Sequence, residues 1–313
     1  MLDRILQNVN TVAIGGHVRP DGDCVGSCMG LYLYLKKRFP NVHIDVFLEP
    51  IPNEFYMFEV VNVIQHDVQE EKVYDLFIAL DCADASRLGF SYSLFEKATK
   101  TCCIDHHISN VGYGDENYIV PEASSTAELV YRLIDKDMIS KEIAECLYLG
   151  IVHDTGVFQY TSTSPETMEA AADLMRKDIC ASQIIDKTYY EKTYAQNKVL
   201  GKALLDSQLL LNGKCIASSI TRETMDEFGV IPKDLEGIVS QLRVTKDIEV
   251  AIFIYELNEN EYKVSLRASG NVNVSQVAVT FGGGGHVKAA GLTMTGTIPE
   301  IIAQLTAEIG KQL

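Results

Sequence analysis

The feature that most constrains the fold of this chain is the alternation of short apolar runs with helix-like patterns in its first half. Four apolar runs are short enough to be buried strands, at residues 11–14, 42–48, 75–80 and 101–104. Helical spacing of apolar residues occurs at 25–38, after Ser125, at 143–149 and at 165–177. This alternation predicts an α/β fold with a mostly parallel sheet and helices on its faces.

The pattern changes in the second half of the chain. Residues 186–205 have helical character and are interpreted as a connector. Beyond it we predict strands at 209–211, 213–220, 248–257 and 261–267, a hairpin turn at 258–260, a glycine loop at 282–285 and a closing helix at 299–313. The sequence therefore predicts an N-terminal domain at 1–185 and a smaller, mixed-sheet α/β domain at 206–313.

The charge balance limits the kind of ligand. The formal net charge is -16, from 43 acidic and 27 basic residues, most of which we attribute to a solubilising surface. Such a chain lacks the basic track that long nucleic acid requires. A pocket loaded with cations could still bind a small anion, because bound metal ions reverse the local field.

Targeting and redox features point to the cytoplasm. The N-terminus shows no signal-peptide pattern, and no apolar run approaches the roughly 20 residues of a membrane span. The eight cysteines form no C-x-x-C pair or regular framework, so we expect free, buried thiols in a reducing compartment. No membrane partner is expected, and a homodimer is compatible with the sequence.

Acidic and histidine residues cluster at the ends of the predicted elements. The clusters are His17 with Asp21 and Asp23, then Asp81, then Asp105-His106-His107, and finally His153-Asp154. Each alone has a structural alternative, such as a turn, a helix cap or a surface pair. Of the seven histidines, however, only two lie outside these clusters and the glycine loop. Mixed imidazole and carboxylate ligands suit Mn²⁺ or a related ion better than Ca²⁺, and there are enough of them for two ions.

A second candidate site is the glycine loop at 282–285, which precedes His286. Four glycines could simply form a flexible turn, and Arg267 in the preceding strand could be a surface charge. Alternatively, unobstructed backbone N–H groups form an anion nest, and the Arg267 guanidinium binds a terminal phosphate through two hydrogen bonds.

These residues carry a family resemblance. The series His17-x-x-x-Asp21-x-Asp23, Asp81, Asp105-His106-His107 and His153-Asp154 resembles the four motifs of the DHH phosphoesterase superfamily. The glycine loop with His286 and Ala289-Ala290-Gly291 resembles the signature of the DHHA1 domain. The resemblance covers essentially the whole chain in the expected order. With no extra domains, the chain resembles the stand-alone nanoRNase and pAp phosphatase branch.

The resemblance implies roles for individual residues. One metal ion would be held by His17, Asp21 and Asp81, and a second by Asp23, Asp81, His106 and Asp154. Asp105 would orient a histidine, and His107 would contact the scissile phosphate or protonate the leaving oxygen; a buried polar pair is the alternative for these two. Substrate binding would fall to the DHHA1 domain, for which we select Arg267, Gly283, Gly284, Gly285 and His286.

The expected activity is metal-dependent hydrolysis of short oligoribonucleotides to mononucleotides and dephosphorylation of adenosine 3′,5′-bisphosphate (pAp) to AMP. Two ions would activate a water molecule and neutralise charge on the phosphate oxygens. Alternatives are a cyclic di-AMP or pApA phosphodiesterase, a family II pyrophosphatase, and a nucleotide-binding regulator without activity. A RecJ-like processive nuclease is disfavoured because the acidic chain has no additional nucleic-acid-binding module.

Overall fold

The chain forms two compact units in a computed structural model that describes residues 1–69 and 72–313. The units are Met1–Glu191 and Lys192–Leu313. The predicted connector supplies a π-helix, Asp186–Tyr190, to the first unit and a helix, Tyr194–Leu205, to the second. In the described residues, no helix combines the length and apolarity needed to cross a bilayer.

The first unit is built on a six-stranded sheet in which all neighbours run parallel. Its strands are β1 Thr11–Gly15, β2 His43–Phe47, β3 Ile64–Gln65, β4 Leu76–Leu80, β5 Thr101–Asp105 and β6 Glu116–Ile119, in the spatial order β3-β2-β1-β4-β5-β6. The predicted strands and the parallel sheet are confirmed. The sequence analysis missed β3 and β6 because β3 has only two residues and β6 has no buried residue.

Seven α-helices accompany this sheet in the described part of the unit. They are α1 Leu2–Ile5, α2 Gly22–Arg38, α3 Tyr92–Lys97, α4 Thr126–Leu133, α5 Lys141–Asp154, α6 Pro165–Met175 and α7 Ala181–Ile185. Short 3₁₀ segments lie at Asn53–Met57, Glu59–Val63, Ala85–Ser91 and Lys136–Met138. Helix α4 begins after Ser125, whose hydroxyl accepts a hydrogen bond from the Glu128 amide at 3.0 Å, so the predicted helix start is confirmed.

Helices α2 and α5 approach each other closely, and this approach depends on glycine. A Cβ atom on Gly26 would lie 2.4 Å from the carbonyl oxygen of Cys146 and 2.7 Å from the amide nitrogen of Gly150. Backbone therefore meets backbone at this crossing. The contact matters for the site, because Asp23 lies in the first turn of α2 and Asp154 is the last residue of α5.

The second unit has a mixed sheet, as the sequence analysis predicted. Its strands are β7 Gln208–Leu210, β8 Cys215–Ile220, β9 Val250–Asn258, β10 Glu261–Ala268, β11 Gly284–His286 and β12 Ala289–Thr295, in the order β11-β12-β10-β9-β8-β7. Only β8 and β9 pair in parallel. Its helices are α8 Tyr194–Leu205, α9 Arg222–Phe228, α10 Ile238–Arg243, α11 Val274–Thr280 and α12 Ile298–Ile309, with a 3₁₀ turn at Pro232–Leu235.

The glycine stretch is only partly a loop, which differs from the sequence-based expectation. Gly284 and Gly285 belong to β11 and pair with Gly291 and Ala290 of β12. At Gly285, φ is 148° and a Cβ atom would lie 2.4 Å from the carbonyl oxygen of Ala289. Glycine is therefore needed here for the close approach of two strands as well as for a turn.

Candidate metal centre

The predicted metal ligands meet at one edge of the first sheet. Because β1, β4 and β5 are parallel neighbours, their carboxyl ends lie side by side. His17 follows β1, Asp81 directly follows β4, and Asp105 ends β5. This edge is where open α/β sheets bind ligands.

Asp81 lies at the centre of the cluster and its two carboxylate oxygens face different imidazoles. Its Oδ2 is 3.5 Å from His17 Nε2, whereas its Oδ1 is 3.6 Å from His106 Nε2. Its backbone has φ of 54° and its amide donates to the carbonyl oxygen of Ile104 at 3.1 Å. The left-handed backbone conformation is sparsely populated for a residue other than glycine, so the surrounding structure must hold Asp81 in it.

His17 and Asp21 form one side of the cluster. His17 Nε2 is 3.6 Å from Asp21 Oδ2, and its Nδ1 lies 2.9 Å from the carbonyl oxygen of Val18. In the neutral ring that donates its Nδ1 proton to this carbonyl, the Nε2 lone pair is available to a cation bound between it and the carboxylates. The Cys24 thiol, which the sequence analysis did not select, also lies beside His17 and Asp81. Burial raises the pKa of this thiol well above its usual value, so it stays protonated.

His106, Asp23 and Asp154 form the other side. His106 Nε2 is 3.3 Å from Asp154 Oδ2 and 4.0 Å from Asp23 Oδ2. One ligand atom from each of the three residues lies within 4.8 Å of the others. The residues of the two predicted ligand sets therefore converge on both sides of Asp81.

The N-terminus of α4 holds the Asp23 carboxylate, and this contact was not predicted. The amides of Thr126 and Ala127 donate to the two oxygens of Asp23 at 2.6 Å and 2.9 Å. The Thr126 hydroxyl donates to Asp81 Oδ1 at 3.2 Å. The sequence predicted that a helix begins after Ser125, but it contained no signal for the carboxylate that the first amides of this helix bind.

The pKa values of the buried carboxyl groups indicate whether the cluster suits metal ions. Burial raises the pKa of Asp23 well above its usual value, and the charges of Asp81 and Asp154 raise it further. Burial also raises the pKa of Asp154 to about 7, although His106 opposes the shift. Carboxylates gathered out of water repel one another unless a cation compensates them. Oxygen and imidazole donors with an excess of negative charge fit divalent metal ions.

Asp105 positions His107 beside this cluster. Asp105 Oδ1 lies 2.7 Å from His107 Nδ1, and its Oδ2 accepts a hydrogen bond from Asn110 Nδ2 at 2.7 Å. Burial raises the pKa of Asp105, but its hydrogen bonds to His107 and Asn110 outweigh that effect and lower it. The same hydrogen bond raises the pKa of His107. Asp105 is thus a charged acceptor that favours a protonated His107 and directs its Nε2 away from the pair.

The predicted substrate-binding residues lie in the second unit. Arg267 on β10 and His286 on β11 both pair with Ala289 of β12, so the three side chains share one face of the sheet. Gly283 lies just before β11, where a Cβ atom would be 2.4 Å from Leu292 Cβ. Gly284 pairs with Gly291, which leaves the same face free of side chains at that point.

Comparison with known proteins identifies two domains in the chain. Residues 11–151 match the model of the DHH family, N-terminal domain, and residues 212–311 match that of the DHHA1 domain. The first match contains all the residues of the cluster except those that follow Ile151, namely His153 and Asp154. The second contains Arg267, the glycine stretch and His286.

Several proteins resemble the chain over most of their length. "Bifunctional oligoribonuclease and PAP phosphatase NrnA" of Thermus thermophilus is 29% identical over 91% of this chain and 84% of its own length. The Bacillus subtilis protein of the same name is 26% identical, over 94% and 92% respectively. The crystal structure of an exopolyphosphatase-related protein from Bacteroides fragilis superposes with a TM-score of 0.90 at 27% identity, covering 99% of this chain and 94% of that one.

Proposed function

Because this chain belongs to the DHH phosphoesterase family and carries a DHHA1 domain, we propose that it hydrolyses short oligoribonucleotides to mononucleotides and converts pAp to AMP. The observation that carries the proposal is the position of Asp81, whose two oxygens face His17 and His106 on opposite sides of one acidic cluster. A carboxylate in that position suits a pair of divalent ions. The names of the Thermus thermophilus and Bacillus subtilis relatives support the two substrates.

We propose that the metal ligands are those implied by the family motifs, with Mn²⁺ as the preferred ion. His17, Asp21 and Asp81 would hold one ion, and Asp23, Asp81, His106 and Asp154 the other. When bound, two such ions supply an activated water and neutralise charge on the phosphate oxygens. The amides of Thr126 and Ala127 keep Asp23 in one orientation, so the ligand is positioned before any ion arrives.

His107 is the proposed proton donor. Its Nδ1 is engaged by Asp105 at 2.7 Å, which leaves Nε2 to face the substrate. Because the raised pKa of His107 favours the imidazolium, Nε2 carries a proton that can be donated to the leaving oxygen or to a phosphate oxygen. Asp105 acts through His107 and is therefore a positioning residue.

The second domain would bind the part of the substrate that does not react. We propose that Arg267 contacts a phosphate and that Gly283, Gly284, Gly285 and His286 present backbone and imidazole donors to it. The bare backbone of Gly284 and Gly291, which pair with each other, leaves room for a phosphate against the sheet. The acidic balance of the chain as a whole favours small substrates over long nucleic acid.

A substrate panel with Mn²⁺-loaded protein tests this function. We expect mononucleotide from a diribonucleotide and inorganic phosphate from pAp, with slower or no turnover of cyclic di-AMP and pyrophosphate. Asp81→Ala should reduce both reactions by several orders of magnitude, since both ligand sets lose a shared member. Asp67→Ala removes an exposed carboxylate of the same unit and serves as the matched control.

Two results would contradict the proposal. One is a folded, Mn²⁺-loaded protein that releases neither mononucleotide nor phosphate but binds nucleotide tightly, which would favour a regulator. The other is an Asp81→Ala variant with the activity of Asp67→Ala. Preferred turnover of pApA over other dinucleotides would narrow the substrate class instead.

A further inference from the structure

The second unit contains a cavity that the proposed function leaves partly unexplained. Its volume is about 610 Å³, within the range of small-ligand sites. It is lined by polar and charged side chains that include Lys233, Glu236, Tyr255, Lys263, Ser265 and Arg267. None of its lining residues is a proposed metal ligand. Its lining is therefore available to a ligand group that does not react.

The cavity is formed by one face of the sheet. Along β10, residues alternate between buried and half-buried, and the half-buried ones are Glu261, Lys263, Ser265 and Arg267, of which the last three line the cavity. On the neighbouring β9, Tyr255 pairs with Lys263. The 3₁₀ turn Pro232–Leu235 adds Lys233 to the wall. The two lysines outnumber Glu236, the one carboxylate among the lining residues.

Lys263 extends this cavity toward the glycine stretch. A Cβ atom on Gly291 would lie 4.0 Å from Lys263 Nζ, so the ammonium group lies beside a strand position without a side chain. Gly291 in turn pairs with Gly284 of β11. In the described part of the chain, neither Lys233 nor Lys263 forms a salt bridge. The Lys263 charge is therefore not neutralised by a protein carboxylate and is available to an anion.

The spacing of Lys263 and Arg267 suits more than one phosphate. Four residues along an antiparallel strand span roughly 13 Å. Successive phosphates of a stacked strand are separated by about 3.4 Å along the axis, so a strand distance of roughly 13 Å is longer than one stacked step. A nucleotide held at Arg267 and the glycine stretch would therefore leave Lys263 for a further nucleotide of the same chain. Tyr255 lies directly across from Lys263 and offers an aromatic ring for base stacking.

From this arrangement we infer that the cavity is a subsite for an additional nucleotide of an oligoribonucleotide, with Lys263 as its phosphate contact and Tyr255 as its base contact. The inference rests on the proposed function. It makes Lys263 a specificity-determining residue, because the single nucleoside of pAp would lie at Arg267 and leave Lys263 unused. Glu236 weakens the subsite by facing the same anion.

The test compares pAp with a 5′-phosphorylated trinucleotide in steady-state kinetics. Lys263→Gln should raise KM for the trinucleotide by roughly tenfold through the loss of one charge-assisted contact, and leave KM for pAp unchanged. The slope of log(kcat/KM) against log salt for the trinucleotide, from about 50 to 200 mM, should become shallower by about 0.7. Glu236→Gln should lower the trinucleotide KM. Lys246→Gln, which removes an exposed charge outside the cavity, is the matched control.

The outcomes separate this inference from the proposed function. If the wild-type protein turns over neither substrate, the proposed function fails. If it turns over both and Lys263→Gln behaves like Lys246→Gln, only the subsite is wrong. If Lys263→Gln raised KM equally for pAp and the trinucleotide, the subsite would also be wrong, because Lys263 would then bind the nucleotide that both substrates contain. Thermal unfolding of each variant verifies that the sheet is intact.

Discussion

Replacing Gly26 by alanine should weaken both the first unit and its proposed reaction. The new Cβ atom would lie 2.4 Å from the carbonyl oxygen of Cys146, and van der Waals contact begins at 3.4 Å, so α2 and α5 must separate by about 1 Å. Neither this oxygen nor the Gly150 amide nitrogen, 2.7 Å from the same Cβ, can rotate away, because both belong to the backbone of α5.

The expected magnitude combines two opposing effects. Overpacking in a core costs about 1–3 kcal/mol, whereas exchanging glycine for alanine inside a helix contributes up to about 1 kcal/mol of stability. We therefore expect the free energy of unfolding to fall by roughly 1–2 kcal/mol. The separation also moves Asp23 on α2 relative to Asp154 on α5. A displacement of about 1 Å at a reacting site can cost on the order of 100-fold in rate.

Two glycines supply controls. In α8, a Cβ atom on Gly201 would have nothing within 4 Å, so Gly201→Ala should stabilise the protein by about 0.5–1 kcal/mol. In α2, a Cβ atom on Gly30 would meet the Leu147 Cδ2 atom at 2.6 Å, and this side chain can move. The stability of Gly30→Ala should therefore lie between those of Gly26→Ala and Gly201→Ala.

Urea unfolding followed by circular dichroism measures the stabilities, and Mn²⁺-dependent phosphate release from pAp measures the activity. The reasoning is refuted if Gly26→Ala is as stable as Gly201→Ala. It is also refuted if the variant is destabilised but keeps the full rate, since the crossing would then not determine the relative positions of the ligands.

Three further changes test other parts of the structure. Glu128→Ala should lower the free energy of unfolding by about 2–4 kcal/mol, because one buried oxygen of Glu128 accepts hydrogen bonds from an amide and from two hydroxyl groups. Glu128→Gln retains an acceptor, so it should lower the free energy of unfolding by about half as much in the same urea titration. Burial raises the pKa of Asp45, but hydrogen bonds from Tyr74 and Lys72 outweigh the effect of burial and lower this pKa below 3.8. The charged Asp45 carboxylate therefore stabilises the folded protein above pH 3.8, and this stabilisation is lost as the pH falls through the lower pKa of the folded state. The urea midpoints of wild type and Asp45→Asn should accordingly converge in acid. Gly285→Ala should destabilise the second unit, because the φ of 148° and the nearby backbone oxygen exclude a Cβ atom. At Gly284, a Cβ atom would have nothing within 4 Å, so Gly284→Ala should leave thermal unfolding unchanged.

The sequence alone determined the parallel sheet and the residues that converge on the candidate site. Both depend on local patterns: apolar runs set the strands, and the position of Asp81 or Asp105 at a strand end follows from counting along the chain. Once neighbouring strands are parallel, residues at their carboxyl ends must meet at one edge. The glycine stretch was recognisable in the same way, although half of it is a strand.

Only the tertiary structure decided how these residues are held. The amides that bind Asp23 belong to Thr126 and Ala127. Almost every residue type has a backbone N–H group, so no sequence signal distinguishes the amides that bind a distant carboxylate. The approach of α2 and α5 at Gly26, and the placement of Lys263 beside Gly291, likewise depend on segments far apart in the chain. Such contacts arise from packing, which local periodicity does not encode.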